Sequence, residues 1–200
     1  MCLAIYKPSG IEIPRIHLQS GYETNYSDHC GCGFAWNEGG QLHVVKDIMP
    51  FEQFYDQFQT RVGRRSALIH FRLATHRPIN QENCHPFTMC NGRFALIHNG
   101  IFHIPILNPK LSDTGNFCEQ VMEPAILNGS YKNKRKIAMT MGWNMCALMS
   151  ADGEVIIYND DLNQWHNGIW YSNSAFRYLE WRAERESACL DREYQAYNGD

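Results

Sequence analysis

The residue with the clearest chemical potential is Cys2, which becomes the N-terminal residue once the initiator Met1 is removed. An N-terminal cysteine carries a thiol nucleophile together with a free α-amine that can act as its general base. The two groups titrate at about 8.5 and about 7.7–8, so both lie close to neutral pH. Any second residue can become an N-terminus, so the significance of Cys2 depends on the polar groups that follow it.

The first polar cluster ends the apolar run 67–69 and contains His70, Arg72, Thr75 and His76. A guanidinium group at the end of a strand can hold a carboxylate through two parallel hydrogen bonds. Taken alone, this arginine is better explained as a surface residue in an ordinary salt bridge.

The second cluster is His98, Asn99 and Gly100, again after an apolar run, and the third covers residues 112–114. An Asn amide beside a glycine N–H can stabilise the oxyanion of acyl transfer, although Asn-Gly is also a strong turn signal. In the third cluster, Asp113 can pair with an ammonium group, whereas the alternative, purely structural interpretation is a helix cap. Taken singly, the turn and the cap are favoured.

Together and in this order, the clusters resemble the class II glutamine amidotransferases, which are N-terminal-nucleophile (Ntn) hydrolases. The ordered matches are Cys2 and the segments 70–76, 83–87 (Asn-x-His-Pro-Phe), 98–100 and 112–114. The resemblance implies an α+β fold, specifically a four-layer αββα sandwich in which two mostly antiparallel sheets lie between helical layers.

The resemblance also implies a role for each matching residue. Cys2 is the expected nucleophile, which attacks the side-chain amide of L-glutamine to form a γ-glutamyl thioester. The Asn99 side chain and the Gly100 N–H are expected to stabilise the oxyanion. The expected substrate-binding residues are Arg72 for the α-carboxylate, Thr75 and His76 beside it, His98, and Asp113 for the α-ammonium group. The reaction implied requires no cofactor and no metal.

The chain departs from the family pattern in several places. Leu73 stands where the family usually has Trp, and Arg77 stands where it has Gly. The residues 30–33 read Cys-Gly-Cys-Gly in place of an Asp-Gly-x-Gly stretch. Because His-Asn-Gly and Ser-Asp-Thr lie close together in the sequence, a helix usual between them is expected to be shortened.

The length of 200 residues suits one domain, which we expect over residues 1–193, and the polar end 194–200 is expected to be a mobile tail. Short apolar or alternating runs predict strands over residues 2–6, 33–36, 42–46, 67–71, 94–98, 146–149 and 155–158. Apolar residues at helical spacing predict helices over 51–62 and about 114–127, and a further helical stretch after Ser174. The second of these helices is expected to be capped by Ser112 or Asp113 and to end at Gly129.

Composition excludes several classes of function. A formal charge of -3 gives no electrostatic reason to expect nucleic-acid binding. No apolar run approaches a membrane span, and no secretory signal opens the chain, so we expect a cytoplasmic protein. In that reducing compartment most of the 8 cysteines are expected to be small buried hydrophobes, Cys118 and Cys146 among them.

The destination of the ammonia stays open at this level. With 200 residues we expect no room for a synthase domain, which leaves transfer to a partner in trans, release, or hydrolysis of another γ-glutamyl amide. A non-catalytic glutamine-binding relative and a zinc-binding module are further alternatives. The residues that would supply zinc ligands are His29, Cys30, Cys32, Cys84, His85 and Cys90, although their spacing is not usual for zinc.

Overall fold

Two antiparallel sheets form the centre of the fold. The computed structural model describes residues 2–24, 31–73, 79–162 and 164–197, with 190–197 as backbone only. In these residues the larger sheet contains β1 (Leu3–Lys7), β2 (Cys32–Glu38), β3 (Gln41–Asp47), β4 (Ala67–Phe71), β9 (Gln164–His166) and β10 (Ile169–Tyr171). The smaller sheet contains β5 (Phe87–Met89), β6 (Phe94–Asn99), β7 (Met145–Ser150) and β8 (Val155–Tyr158).

The strand orders are β3-β2-β4-β1-β10-β9 in the larger sheet and β5-β6-β7-β8 in the smaller one. Every strand pair is antiparallel. The helices are α1 (Arg15–Thr24), α2 (Phe51–Arg61), α3 (Asp113–Phe117), α4 (Glu123–Leu127), α5 (Lys134–Met141) and α6 (Tyr178–Tyr197). A π-helical turn, Cys118–Met122, joins α3 to α4 without a break.

Three apolar cores establish the layer order. Buried apolar side chains, most of them alanine or aliphatic, fill the space between the sheets, namely Ala4, Ala35, Leu68, Ala95, Ile97, Ala147, Met149, Ile157 and Trp170. On its other face the larger sheet packs against α1 and α2, with Leu18 and Phe54 among the buried contacts. The smaller sheet packs against α3, α4 and α5, with Phe117 and Met141 buried there. The order helix, sheet, sheet, helix confirms the four-layer αββα architecture.

Period-two alternation assigns each strand residue to one of these cores. On β1, for example, Leu3 and Ile5 face the helices while Ala4 faces the second sheet. Within the described ranges, none of the helices combines the length and apolarity that crossing a bilayer requires.

Several predicted elements are corrected in detail. The helix predicted at 51–62 is α2, which buries Phe51, Phe54 and Phe58. The helix predicted at 114–127 begins one residue earlier, and Ser112 rather than Asp113 is its cap, since the Ser112 hydroxyl accepts a hydrogen bond from the Gly115 N–H at 3.3 Å. The last helix continues to Tyr197, into the segment 194–200 predicted as a tail.

Candidate active site

Strand register brings Cys2 and Arg72 to the same rim of the larger sheet. Leu3 pairs with Phe71 in the β1–β4 ladder, so the residues that flank this pair, Cys2 and Arg72, continue the register beyond it. The Arg72 N–H donates to the carbonyl of Gly31 at 2.8 Å, which ties this rim to the start of β2.

Alternation also determines which way these side chains face. The residues of β1, β4 and β6 that contact the opposite sheet include Ala4, Leu68 and Ile97. Cys2, Arg72 and Asn99 stand an even number of positions from them, so they extend from the same faces toward the gap between the sheets. The nucleophile, the cation and the amide predicted from the sequence therefore meet at one rim of this gap.

The Cys2 thiol is half-buried and lies against the backbone of Leu73. The Leu73 N–H donates to Sγ at 3.3 Å, and the Leu73 carbonyl lies 3.7 Å from Sγ. Burial raises the pKa of the thiol, while the Leu73 contact and the charge of Arg72 act in the opposite direction. A protonated thiol needs a base before it can attack, and the free α-amine of a processed Cys2 would supply one.

Arg72 is a buried cation with spare hydrogen-bonding capacity. The residue is 6% exposed, and its Nη1 makes no hydrogen bond to the residues that the structure describes. Because a buried polar group without a partner is unfavourable, this donor suits an anionic group that enters the site. A carboxylate is the natural match for a guanidinium fork.

Three buried histidines lie beneath the rim and connect the two sheets. His70 Nε2 lies 2.8 Å from the carbonyl of His98, and the His98 N–H donates to His85 Nδ1 at 3.3 Å. The rings of His70 and His85 stack with 3.9 Å between centroids. Burial lowers the pKa of His70 to about 3 and that of His98 to about 4, so both imidazoles are neutral near pH 7.

Asn99 is the last residue of β6, and Gly100 follows it directly. Asn99 is 5% exposed, and its side chain makes no hydrogen bond to a residue that the structure describes. Gly100 has φ +137°, a conformation that favours glycine. The chain leaves the strand here, as the turn interpretation predicts, and the role of Asn99 and Gly100 in an oxyanion site stays a prediction.

Asp113 lies in the first turn of α3, where its Oδ2 accepts a hydrogen bond from the Phe102 N–H at 2.7 Å. The carboxylate therefore anchors the segment that follows Gly100. Residues 101–112 contain neither helix nor strand. The motif at 83–87 reaches the same place, since Asn83 accepts from the Ser112 N–H at 2.6 Å and donates to the Lys110 carbonyl at 3.0 Å.

Some predicted site residues lie outside the described residues, namely Thr75, His76 and, among the zinc candidates, His29 and Cys30. His98 is described, but its ring nitrogens contact Thr114 and Asn144, so a direct contact with substrate stays a prediction. In the described part of the chain, no group of three or more His, Cys, Asp or Glu side chains is arranged to hold a metal ion.

Sequence reasoning missed two asparagines of the site. Asn173 Nδ2 donates to the carbonyl of Cys2 at 2.7 Å, and the Asn144 Oδ1 lies 2.9 Å from His98 Nε2. Each follows or precedes a short apolar strand, but both are distant in sequence from the residues that they contact. The sequence signal for either residue is a polar side chain next to a short strand, and many loop residues without a functional role have the same position.

Comparison with known proteins gives relatives of one kind. No family model matches the chain. Over 148 residues it is 26% identical to the glutamine–fructose-6-phosphate aminotransferase (isomerizing) of Chlamydia trachomatis, covering 68% of this chain and 24% of that protein. The enzyme of the same name from Streptococcus pyogenes serotype M6 is 29% identical over 86 residues, or 43% of this chain and 14% of that protein.

A solved structure shares the fold. The glutamine phosphoribosylpyrophosphate amidotransferase from Bacillus subtilis superposes with a TM-score of 0.58 and 17% sequence identity, covering 90% of this chain and 44% of that one. The chain thus spans less than half of these proteins. The described residues of the motifs include Cys2, Arg72 and Asn99 at strand ends of this αββα fold, and the sequence relatives are named as glutamine-using aminotransferases. The chain is thus similar in sequence and in fold to the class II, Ntn-type glutamine amidotransferases.

Proposed function

We propose that the domain hydrolyses the side-chain amide of L-glutamine through a γ-glutamyl thioester on Cys2 and passes the ammonia to an acceptor. The observation that carries this proposal is the meeting, at one rim of the inter-sheet gap, of the Cys2 thiol, the buried Arg72 with an unpartnered Nη1, and the Asn99–Gly100 turn. A zwitterionic amino acid with an amide side chain requires a nucleophile, a cation and an oxyanion site together.

The mechanism begins with proton transfer from the thiol to the α-amine of Cys2, after removal of Met1. The thiolate attacks the amide carbon, and the oxyanion accepts hydrogen bonds from the Asn99 side chain and the Gly100 N–H. The ammonium form of the α-amine then donates the proton to the departing ammonia. Water attacks the resulting thioester, and glutamate and the free thiol are released.

Substrate binding follows from the charges around the rim. Arg72 would hold the α-carboxylate, and Asp113 would pair with the α-ammonium group through the carboxylate oxygen that Phe102 does not use. The charges of both residues act on the Cys2 thiol, which supports their closeness to the reacting atom. Thr75, His76 and His98 complete the proposed binding set.

The acceptor of the ammonia belongs to the proposal as well. The relatives are named for transfer to fructose 6-phosphate, and this chain covers 24% of the length of the Chlamydia protein. We propose that a separate protein accepts the ammonia from this domain in trans, in the cytoplasm.

The test is labelling and turnover of the full chain. A diazo-ketone analogue of glutamine is expected to add once, at Cys2 of a protein that lacks Met1, and L-glutamine is expected to block it. Cys2→Ala is expected to fold and release no glutamate, while Cys90→Ala, which removes another half-buried thiol, keeps the wild-type rate. Glutamate release from Cys2→Ala at the wild-type rate would contradict the mechanism.

A further inference from the structure

Asn144 lies directly behind the proposed oxyanion site. It precedes β7, where the pairing of Asn99 with Met145 sets the register, so Asn144 continues the ladder opposite Gly100. Its Nδ2 donates to the Met141 carbonyl at 2.6 Å. This bond fixes the amide plane and leaves Oδ1 facing His98 Nε2 at 2.9 Å.

This orientation selects one tautomer of His98. Oδ1 can only accept, so His98 Nε2 carries the proton and donates. Nδ1 is then an acceptor for the Thr114 hydroxyl at 2.8 Å. Every polar atom of the neutral imidazole is thereby engaged, and the ring also stacks on Phe102 at 4.0 Å between centroids.

The same amide packs on Gly100. A Cβ at position 100 would lie 2.0 Å from Asn144 Oδ1 and 3.1 Å from His98 Nε2. The two side chains therefore occupy the space on that side of the glycine. Gly100 has φ +137°, and the two side chains limit how far its backbone can shift toward them.

We propose that Asn144 is a positioning residue for the oxyanion site, which holds the Gly100 N–H in place by packing on the glycine and by fixing His98. The inference rests on the proposed function for its catalytic consequence. Asn144 does not touch the substrate in this scheme. Its removal leaves the Gly100 donor present but free to move.

The first test is the kinetics of Asn144→Ala. Loss of one oxyanion donor typically lowers kcat by about 100- to 1000-fold, so a displaced donor is expected to lower it by about 10- to 100-fold. Because the affected interaction forms only in the transition state, kcat and kcat/KM should fall together. Alkylation of Cys2 by iodoacetamide forms no oxyanion and should keep its rate.

Two further variants separate positioning from stability. Asn133→Ala removes the cap of α5, where the Asn133 Oδ1 accepts from the Lys136 N–H at 3.0 Å, and should lower stability without changing kcat. Asn144→Asp retains an oxygen acceptor for His98 and should recover part of the lost rate. The proposal is overturned if kcat of Asn144→Ala stays within about twofold of wild type, or falls no more than that of Asn133→Ala.

Nuclear magnetic resonance tests whether Asn144 positions His98 and Gly100, and this test does not depend on activity. It therefore remains decisive if the wild-type protein hydrolyses no glutamine, a result that would contradict the proposed function. In the wild type, His98 should show the Nε2–H tautomer. In Asn144→Ala, the His98 nitrogen shifts and the Gly100 amide shift should both change. Unchanged signals at both residues would overturn the positioning role whatever the activity.

Discussion

Two buried cations at opposite ends of β1 and β4 differ in how they are paired. Lys7 ends β1 and is 0% exposed, and its Nζ donates to the Ile11 carbonyl at 2.9 Å and the Arg65 carbonyl at 2.6 Å. Arg72 follows β4 at the other end and is 6% exposed, and its Nη1 has no hydrogen-bond partner in the described ranges. The sheet thus holds one cation whose donors are used within the fold and another with a donor to spare.

Lys7 is therefore a cation that is paired within the fold, whereas we propose that Arg72 is buried in a position to bind an anionic ligand. Burial and the charge of Arg64 lower the pKa of Lys7 to about 8, so even this paired ammonium group is held at some energetic disadvantage. Its carbonyl partners offset the penalty, because each needs a donor too. Among the described residues, Arg72 Nη1 has no carbonyl or carboxylate that would offset the cost of burying its charge. An anionic ligand would supply that hydrogen-bond acceptor.

The largest effect is expected for Arg72→Met. Removal of one partner of a buried charge pair costs about 2–5 kcal/mol, so kcat/KM for glutamine should fall by about 30- to 5000-fold. The free energy of unfolding should stay equal or rise, because an incompletely paired buried charge disappears. Glutamate release and urea unfolding measure the two quantities. A protein that is less stable but equally active would place Arg72 with the structural cations.

Lys7→Met tests the other end of the comparison. This change leaves the carbonyls of Ile11 and Arg65 without their donor, and the free energy of unfolding should fall by about 2–4 kcal/mol. Because Lys7 lies at the end of β1 away from Cys2, kcat/KM should be unchanged. Urea unfolding at pH 7 is the measurement, and a variant as stable as wild type would show that solvent replaces the ammonium group.

The pH dependence of stability extends the comparison to the neutral histidines near Arg72. Burial lowers the pKa of His70 to about 3 and of His98 to about 4, against about 6.5 for an unfolded histidine. The unfolded chain therefore binds more protons as the pH falls below about 6.5, and the free energy of unfolding decreases. Urea titrations at pH 7, 6 and 5 should show this decline, and a constant free energy would mean that the imidazoles are charged in the fold.

The smallest effect is expected for Arg65→Ala, which keeps the carbonyl that binds Lys7. The Arg65 side chain pairs with Glu38 on the surface, and such pairs contribute about 0–1 kcal/mol. The loss of unfolding free energy should stay below about 1 kcal/mol and diminish in high salt. A loss as large as that of Lys7→Met would show that the side chain, and not the backbone, supports the buried ammonium group.

The sequence predicted those parts of the fold whose apolar residues follow a regular period. The strands at 67–71 and 155–158 have the predicted bounds, and the helix at 51–62 differs by one residue. Helix α1 was missed because the residues that it buries include His17, Ser20 and Gly21, which form no apolar stripe. The three-residue strands β5, β9 and β10 are too short to show alternation.

The candidate site was predictable as far as its motifs are local. Arg72, Asn99 and Gly100 each directly follow or end an apolar strand, and the order of the motifs indicated their common purpose. The contacts of Asn144 and Asn173 were not predictable from the sequence. Each asparagine makes a single hydrogen bond to a residue that is distant in the chain, His98 and Cys2 respectively. Leu73 illustrates the same limit, since its contact with Cys2 is made by the backbone and depends on no particular side chain.

The bonds between the start of the chain and the strand end at Ser172 and Asn173 also bear on biosynthesis. Asn173 holds the Cys2 carbonyl across 171 positions of sequence, and Ser172 Oγ accepts from the Ala4 N–H at 2.9 Å. At a translation rate of about 5–20 residues per second, Cys2 leaves the ribosome about 10–30 s before the residues that fix it. The proposed nucleophile is made first and aligned last, so a nascent or truncated chain that lacks residue 173 carries the Cys2 thiol without the hydrogen bond that holds the Cys2 carbonyl.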